Sequence, residues 1–199
     1  ENLHVLPHWN WKGREGEVTP VFVYTSYPEA ELFINGKSQG RRAKNPGTHQ
    51  ERYRLMWNEV KYEPGEVRVV AYDKAGRVAA EKRVVTAGKG YRLLIEADRT
   101  TLEKSGEDLA YLTVSVVDKA GNPVPTESRE GKGEASGAAR FRAMANGDPT
   151  SLELFHLPHM KLFSGKLTAI VESGTTAGDV EVTVSAKGLK PATIRLRVE

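Results

Sequence analysis

The chain has 199 residues and no cysteine, and its 29 Lys plus Arg against 26 Asp plus Glu leave a net charge of +3. Without cysteine there is no disulfide staple, thiolate metal site or cysteine nucleophile, and charges of both signs interspersed along the chain suit a solvated surface better than a nucleic-acid footprint. No apolar run approaches the roughly 18 residues of a membrane helix, and a (β/α)8 barrel needs about 250 residues with alternating strands and helices.

Short apolar runs of period two, cut by Gly, Pro, Asn and Asp, dominate the chain. Val21–Tyr24 is the first clear strand. Ala30–Ile34 follows and ends in Asn35-Gly36, a dipeptide suited to a hairpin turn because both residues tolerate positive φ. Tyr53–Trp57 and Val67–Tyr72 alternate, Asp73-Lys74-Ala75-Gly76 reads as a turn, and Val78–Val85 returns from it. Thr86-Ala87-Gly88-Lys89-Gly90 then reads as a linker.

A second series starts at Tyr91–Ile95 and continues through Leu112–Val117, where Thr113 and Ser115 alternate with Val114 and Val116. Asp118-Lys119-Ala120-Gly121 repeats the earlier turn. Ala139–Ala143, Gly165–Val171, Val180–Ala186 and Thr193–Val198 read as further strands, and Ser151–Phe155 as a short helix. Between them, Thr126–Gly137 is polar and Gly-rich. Alternation would place Gly131, Gly133 and Ala135 on one face, which predicts an edge strand or a mobile loop. Turns at short intervals with almost no helical periodicity predict an all-β fold of two tandem immunoglobulin-like β-sandwich domains, over residues 1–87 and 88–199.

Few side chains here suggest chemistry. Trp9 and Trp11 in His8-Trp9-Asn10-Trp11 would share one side of a strand. Such a pair can stack on sugar rings, which makes Trp9 and Trp11 the candidate carbohydrate-binding residues; the alternative is that they plug the sandwich core. Trp57, alternating with Leu55, reads as core. His4 and His8 are four apart, but Pro7 argues against the helix that would align them on a metal. His156 and His159 flank Leu157-Pro158 with only Glu153 nearby, so no metal site and no cofactor is expected. Asn146-Gly147-Asp148-Pro149-Thr150 is a turn signal; a calcium loop would concentrate more carboxylates. There is no nucleophile elbow, phosphate loop or dinucleotide fingerprint. The residues alone describe a two-sandwich binding or structural module.

Three strings carry a resemblance. His4-Val5-Leu6-Pro7-His8-Trp9-Asn10-Trp11, followed by Gly13-Arg14-Glu15-Gly16, resembles the segment after the catalytic barrel in bacterial glycoside hydrolase family 2 enzymes of the β-galactosidase-like, Bacteroides type. Val21–Ser26 through Ala30–Ser38 resembles their next, immunoglobulin-like element. Asn146–Thr150 with Phe155-His156 and Met160–Leu167 resembles their last C-terminal domain. The similarity spans nearly the whole chain, but Thr126–Gly137 departs from it: the family carries larger apolar residues where Gly131, Gly133 and Ala135 stand.

The resemblance implies a parent that hydrolyses terminal β-linked sugars by a retaining mechanism with two barrel glutamates. No residue here matches those glutamates, so no catalytic residue is carried over. It further implies that these are non-catalytic C-terminal domains, with the parent's catalytic domain as partner and a glycan as a second one. It also implies a periplasmic or extracellular location. The chain begins at Glu1 without a signal peptide and is read as a piece of something longer. An independent carbohydrate-binding module and a structural or adhesive tandem are the alternatives.

Overall fold

A computed structural model describes residues 2–199. These form sixteen strands, and no helix occurs among them. The chain divides into two compact units between Thr86 and Ala87.

The N-terminal unit holds β1 (Leu3–Leu6), β2 (Val21–Thr25), β3 (Glu29–Ile34), β4 (Lys37–Ala43), β5 (Arg54–Trp57), β6 (Glu66–Tyr72) and β7 (Val78–Val85). One sheet has the order β1-β2-β5 and the other β4-β3-β6-β7, with every pairing antiparallel. Period-two alternation decides which side chains go inside. Val21, Val23, Leu55 and Trp57 are buried from the first sheet, and Ala30, Leu32, Ile34, Val67, Val69 and Ala71 from the second. Asn35 and Gly36 both take positive φ, 49° and 79°, the conformation a two-residue hairpin with right-twisted strands requires. The Asn35 side chain also accepts from the Glu66 N–H and donates to the Pro64 carbonyl, fixing the turn against β6.

β1 and β4 were not legible in the alternation. β4 reads Lys-Ser-Gln-Gly-Arg-Arg-Ala and buries no residue. It is an edge strand, and its positive charges discourage another edge from pairing there.

The C-terminal unit holds β8 (Arg92–Ala97), β9 (Thr101–Leu102), β10 (Leu109–Val117), β11 (Glu130–Gly137), β12 (Ala139–Ala145), β13 (His159–Lys161), β14 (Lys166–Ser173), β15 (Gly178–Ala186) and β16 (Ala192–Val198). Its sheets have the orders β12-β14-β10-β8 and β13-β11-β15-β16-β9. All pairings are antiparallel except the short β16–β9 contact. Leu112, Val114, Leu167, Ala169 and Val171 bury one sheet's inner side, and Val180, Val182, Val184, Leu196 and Val198 the other's. Both units therefore carry the all-β sandwich pattern.

Two expectations are corrected in this unit. Ser151–Phe155 forms no helix; it is irregular. Thr126–Gly137 is no loop over its second half, and the edge reading holds for part of it. β11 pairs with β15 over seven residues on one side and with β13 on the other only at Glu130, Gly131 and Lys132. Gly131 and Gly133 face the core and are buried. A Cβ on Gly131 would lie 2.9 Å from Leu167 Cδ2, and one on Gly133 2.7 Å from Met144 Cε. Large residues of the opposite sheet thus fill the volume that β11 leaves free, and the inner side of β11 is small because its neighbours are large.

The repeated turn recurs with the same bonds. Asp73 Oδ1 accepts the Ala75 and Arg77 N–H groups, and Asp118 Oδ1 accepts those of Ala120 and Asn122. Each is an Asx-type turn in which the carboxylate takes the place of a strand partner.

Candidate functional site

β1 ends at Leu6, so the tryptophan segment after it is not a strand and the two indoles do not share a side. Trp9 is 0% exposed. Its Nε1–H donates to the Glu63 carbonyl at 2.8 Å, and its ring meets Tyr62 edge-on, centroids 5.2 Å apart. The Thr86 hydroxyl donates to the Trp9 carbonyl. Trp9 is thus a core plug with its polar handle satisfied, and it offers no surface to a sugar. The expected two-indole platform is corrected on this point.

Trp11 is half-buried and packs against the margin of the core that holds Trp9. It stacks on the His8 imidazole, with centroids 4.2 Å apart and planes at 23°, and the Arg14 guanidinium sits 5.3 Å from its ring. His8 Nδ1 accepts the Asn10 N–H, which requires that nitrogen to be unprotonated. Burial also pushes the His8 pKa below its ordinary value, since a desolvated imidazole disfavours charge. Neutral His8, Trp11 and Arg14 form a layered stack at the surface. Trp57 lies in the core, as its alternation predicts, and donates to the Gly40 carbonyl at 3.0 Å.

The second candidate surface was missed in the sequence. The segment 146–165 joins β12 to β14 with only β13 inside it, and polar bonds pin its shape. Asp148 Oδ1 accepts from the Thr150 N–H and hydroxyl. Glu153 accepts from the Ser151 hydroxyl and the Lys161 N–H, and Asn146 donates to the Lys161 carbonyl. On this pinned frame Leu152 is 95% exposed, with Leu154, Phe155 and Phe163 also exposed. Aperiodic apolar residues inside a turn-rich stretch were the available signal. Large exposed apolar side chains on one ordered loop make it a candidate contact surface.

The remaining histidines do not converge. His159 lies 3.5 Å from Glu130, and among the described residues no three His, Asp or Glu side chains could share a metal ion. No helix among them is long and apolar enough to cross a membrane.

Comparison with known proteins adds the lineage. Residues 93–195 match the family model of glycoside hydrolase family 2 C-terminal domain 5, and residues 16–80 match a domain family of unknown function, DUF4982. A β-galactosidase, BoGH2A, of Bacteroides ovatus is 34% identical over 197 residues, which cover 99% of this chain and 22% of that protein. A putative β-glucuronidase of Formosa agariphila is 32% identical over 154 residues, covering 74% of this chain and 14% of that protein. Among solved structures, a β-glycosidase from Bacteroides vulgatus superposes with a TM-score of 0.90 at 28% identity, over 98% of this chain and 24% of that one. This chain thus spans less than a quarter of each of these relatives. With more than half of its residues under the family model, it belongs to glycoside hydrolase family 2, as C-terminal domain sequence.

Proposed function

We propose that both units serve a longer family 2 glycosidase as non-catalytic accessory domains, supporting its barrel or shaping substrate access, and that the chemistry is done by residues outside these 199. The observation that carries this reading is the alignment of nearly the whole chain with about a fifth of a β-galactosidase. The exposed apolar loop around Leu152 supports it by supplying a surface for a neighbouring domain. On the same resemblance the parent is β-galactosidase-like and works in the periplasm or outside the cell. The purified chain is expected to release no nitrophenol from a nitrophenyl β-galactoside above the buffer rate. Release at an enzyme-like rate would overturn the proposal.

A glycan contact is the second reading, and it now rests on Trp11 alone, a partly exposed indole beside Arg14. Calorimetric titration with galactose-terminated oligosaccharides tests it. Heat that saturates and disappears in Trp11→Ala supports it, and no heat refutes it.

A further inference from the structure

The two sheets of the N-terminal unit have unlike outer faces. On the β4-β3-β6-β7 sheet the outward charges neutralise one another: Arg41 pairs with Glu29, Arg68 with Glu81 and Arg83 with Glu66. Two outward rings there are capped by the same arginines. The Arg41 guanidinium lies 3.7 Å from the Tyr72 centroid and that of Arg68 4.2 Å from the Phe33 centroid. A face so matched in charge suits water.

The outer face of β1-β2-β5 is built otherwise. Strand register sets Leu6, Phe22 and Met56 in one row and His4, Tyr24 and Arg54 in the next. Alternation with the buried Val5, Val21, Val23 and Leu55 turns all six outward. β2 is therefore apolar on both sides, the pattern of a strand with cover on both. Leu6 is 41% exposed, Phe22 and Met56 are half-buried, and none of the three joins the core cluster. Among the described residues neither row makes an ion pair; Arg54 bonds the neutral Tyr24 hydroxyl.

An apolar row of this kind marks a contact, and its place in the chain points to the partner. β1 is the first strand and the edge of this sheet, so a longer chain enters the unit along this face. In the Bacteroides ovatus relative the aligned residues make up 22% of the protein. Residues 93–195 match a C-terminal domain family, so the bulk of such a chain precedes the residues aligned with β1. We propose that the Leu6–Phe22–Met56 row docks this unit on the domain that precedes it in the longer enzyme, through a partner surface that is apolar at its centre. The proposal rests on the accessory-domain reading above and adds to it the face that makes the contact.

Thiol labelling tests it. The chain has no cysteine, so Leu6→Cys places one thiol on the row. Val78→Cys places one at a 66% exposed position of β7, in the other sheet. Both variants are expected to keep the urea midpoint and to react freely in the 199-residue chain. In the full-length enzyme, with labelling at each position read by peptide mass spectrometry, Leu6→Cys is expected to react at least about tenfold more slowly, because a covered thiol reacts only when the contact opens. Val78→Cys is expected to react there as it does in the shorter chain.

Unchanged reaction at Leu6→Cys, or equal slowing at both positions, would overturn the proposal. A dimer of the 199-residue chain that Leu6→Arg dissolves would do so as well, by assigning the row to a second copy. Labelling reads cover and not hydrolysis. The face can thus fail while the accessory reading stands, and hydrolysis by the 199-residue chain would remove that reading without moving the label.

Discussion

The two units close similar sandwiches in different ways. The N-terminal core is plugged by rings: Trp9, Trp57 and Tyr62 are among its largest fully buried side chains, and Trp9 and Tyr62 come from segments between strands. The C-terminal core holds no fully buried aromatic residue; Leu, Val, Met and Ala interdigitate across it, with two glycines on one strand making room. A small pair of sheets, one of only three strands, cannot bury enough aliphatic surface from its strands alone. Rings brought in from outside the sheets supply the volume, and each indole carries a polar group that must find a carbonyl. The larger C-terminal sheets fill their own interior and depend instead on complementarity of size between facing strands.

Trp9→Ala is the largest expected break in that comparison. It empties the centre of the N-terminal core and should cost about 3–5 kcal/mol. Trp9→Phe keeps most of the ring but leaves the Glu63 carbonyl without its donor, and should cost about 1–3 kcal/mol. All three tryptophans, Trp9, Trp11 and Trp57, lie in the N-terminal unit, so urea unfolding followed by tryptophan fluorescence reads that unit. A loss below 1 kcal/mol for Trp9→Ala would show that the ring is not what closes it.

The C-terminal counterpart is Gly133→Val. The new side chain must displace Met144 and Phe141, and overpacking of this kind costs about 1–3 kcal/mol. The far-UV transition should move and the tryptophan transition should not. If the variant were neutral, the glycine strand would not be size-matched to its neighbours.

The strands that bury alternate residues were legible, because period two is a direct image of a half-buried sheet. Val69 and Val116 are buried where the alternation puts them. β4 was not legible, since an exposed edge strand has no inner side to write into its sequence. The core role of β11 was not legible for a related reason: Gly131 and Gly133 carry no apolar signal themselves, and what makes them core residues lies in Leu167 and Met144, across the sandwich. The candidate surfaces were less legible still. Trp9 and Trp11 are two residues apart, and only the end of β1 at Leu6 decides that they part company.

The repeated turn gives the next and smaller test. Asp118 is buried; besides its own turn it accepts the Gly88 N–H at 2.9 Å. Burial alone would raise its pKa, but the bonds from Gly88, Asn122 and Ala120 outweigh that and hold it below the ordinary carboxylate value. Asp73 is held low as well, chiefly by the Arg77 N–H, but it lies at the surface. A folded pKa below the unfolded one means that the unfolded chain binds more protons on acidification. The contribution is therefore complete above the unfolded value, about pH 4, and is lost as pH falls through it toward the lowered folded value. Asp118→Ala should cost about 1–3 kcal/mol at neutral pH, through the buried donors it abandons, and should flatten the acid limb of the stability curve. Asp73→Ala should do both more weakly. Equal effects would mean that burial does not distinguish the two copies.

The smallest expected effect is the most informative about function. Leu152 is 95% exposed on a frame held by Asp148, Glu153 and Asn146. If packing within this chain had selected it, Leu152→Ser would destabilise; since it touches almost nothing, the urea midpoint should stay within about 0.5 kcal/mol of the parent chain. Glu153→Ala, one residue away, removes the acceptor for the Lys161 N–H and the Ser151 hydroxyl, and should loosen the frame, raising hydrogen exchange at Lys161. A silent Leu152 on a frame that Glu153 holds in place is what a contact surface requires: the apolar group contributes nothing to its own unit, and the polar groups beneath it keep it in position. A clear loss of stability from Leu152→Ser would instead make the loop part of the core and remove the main structural support for a docking role.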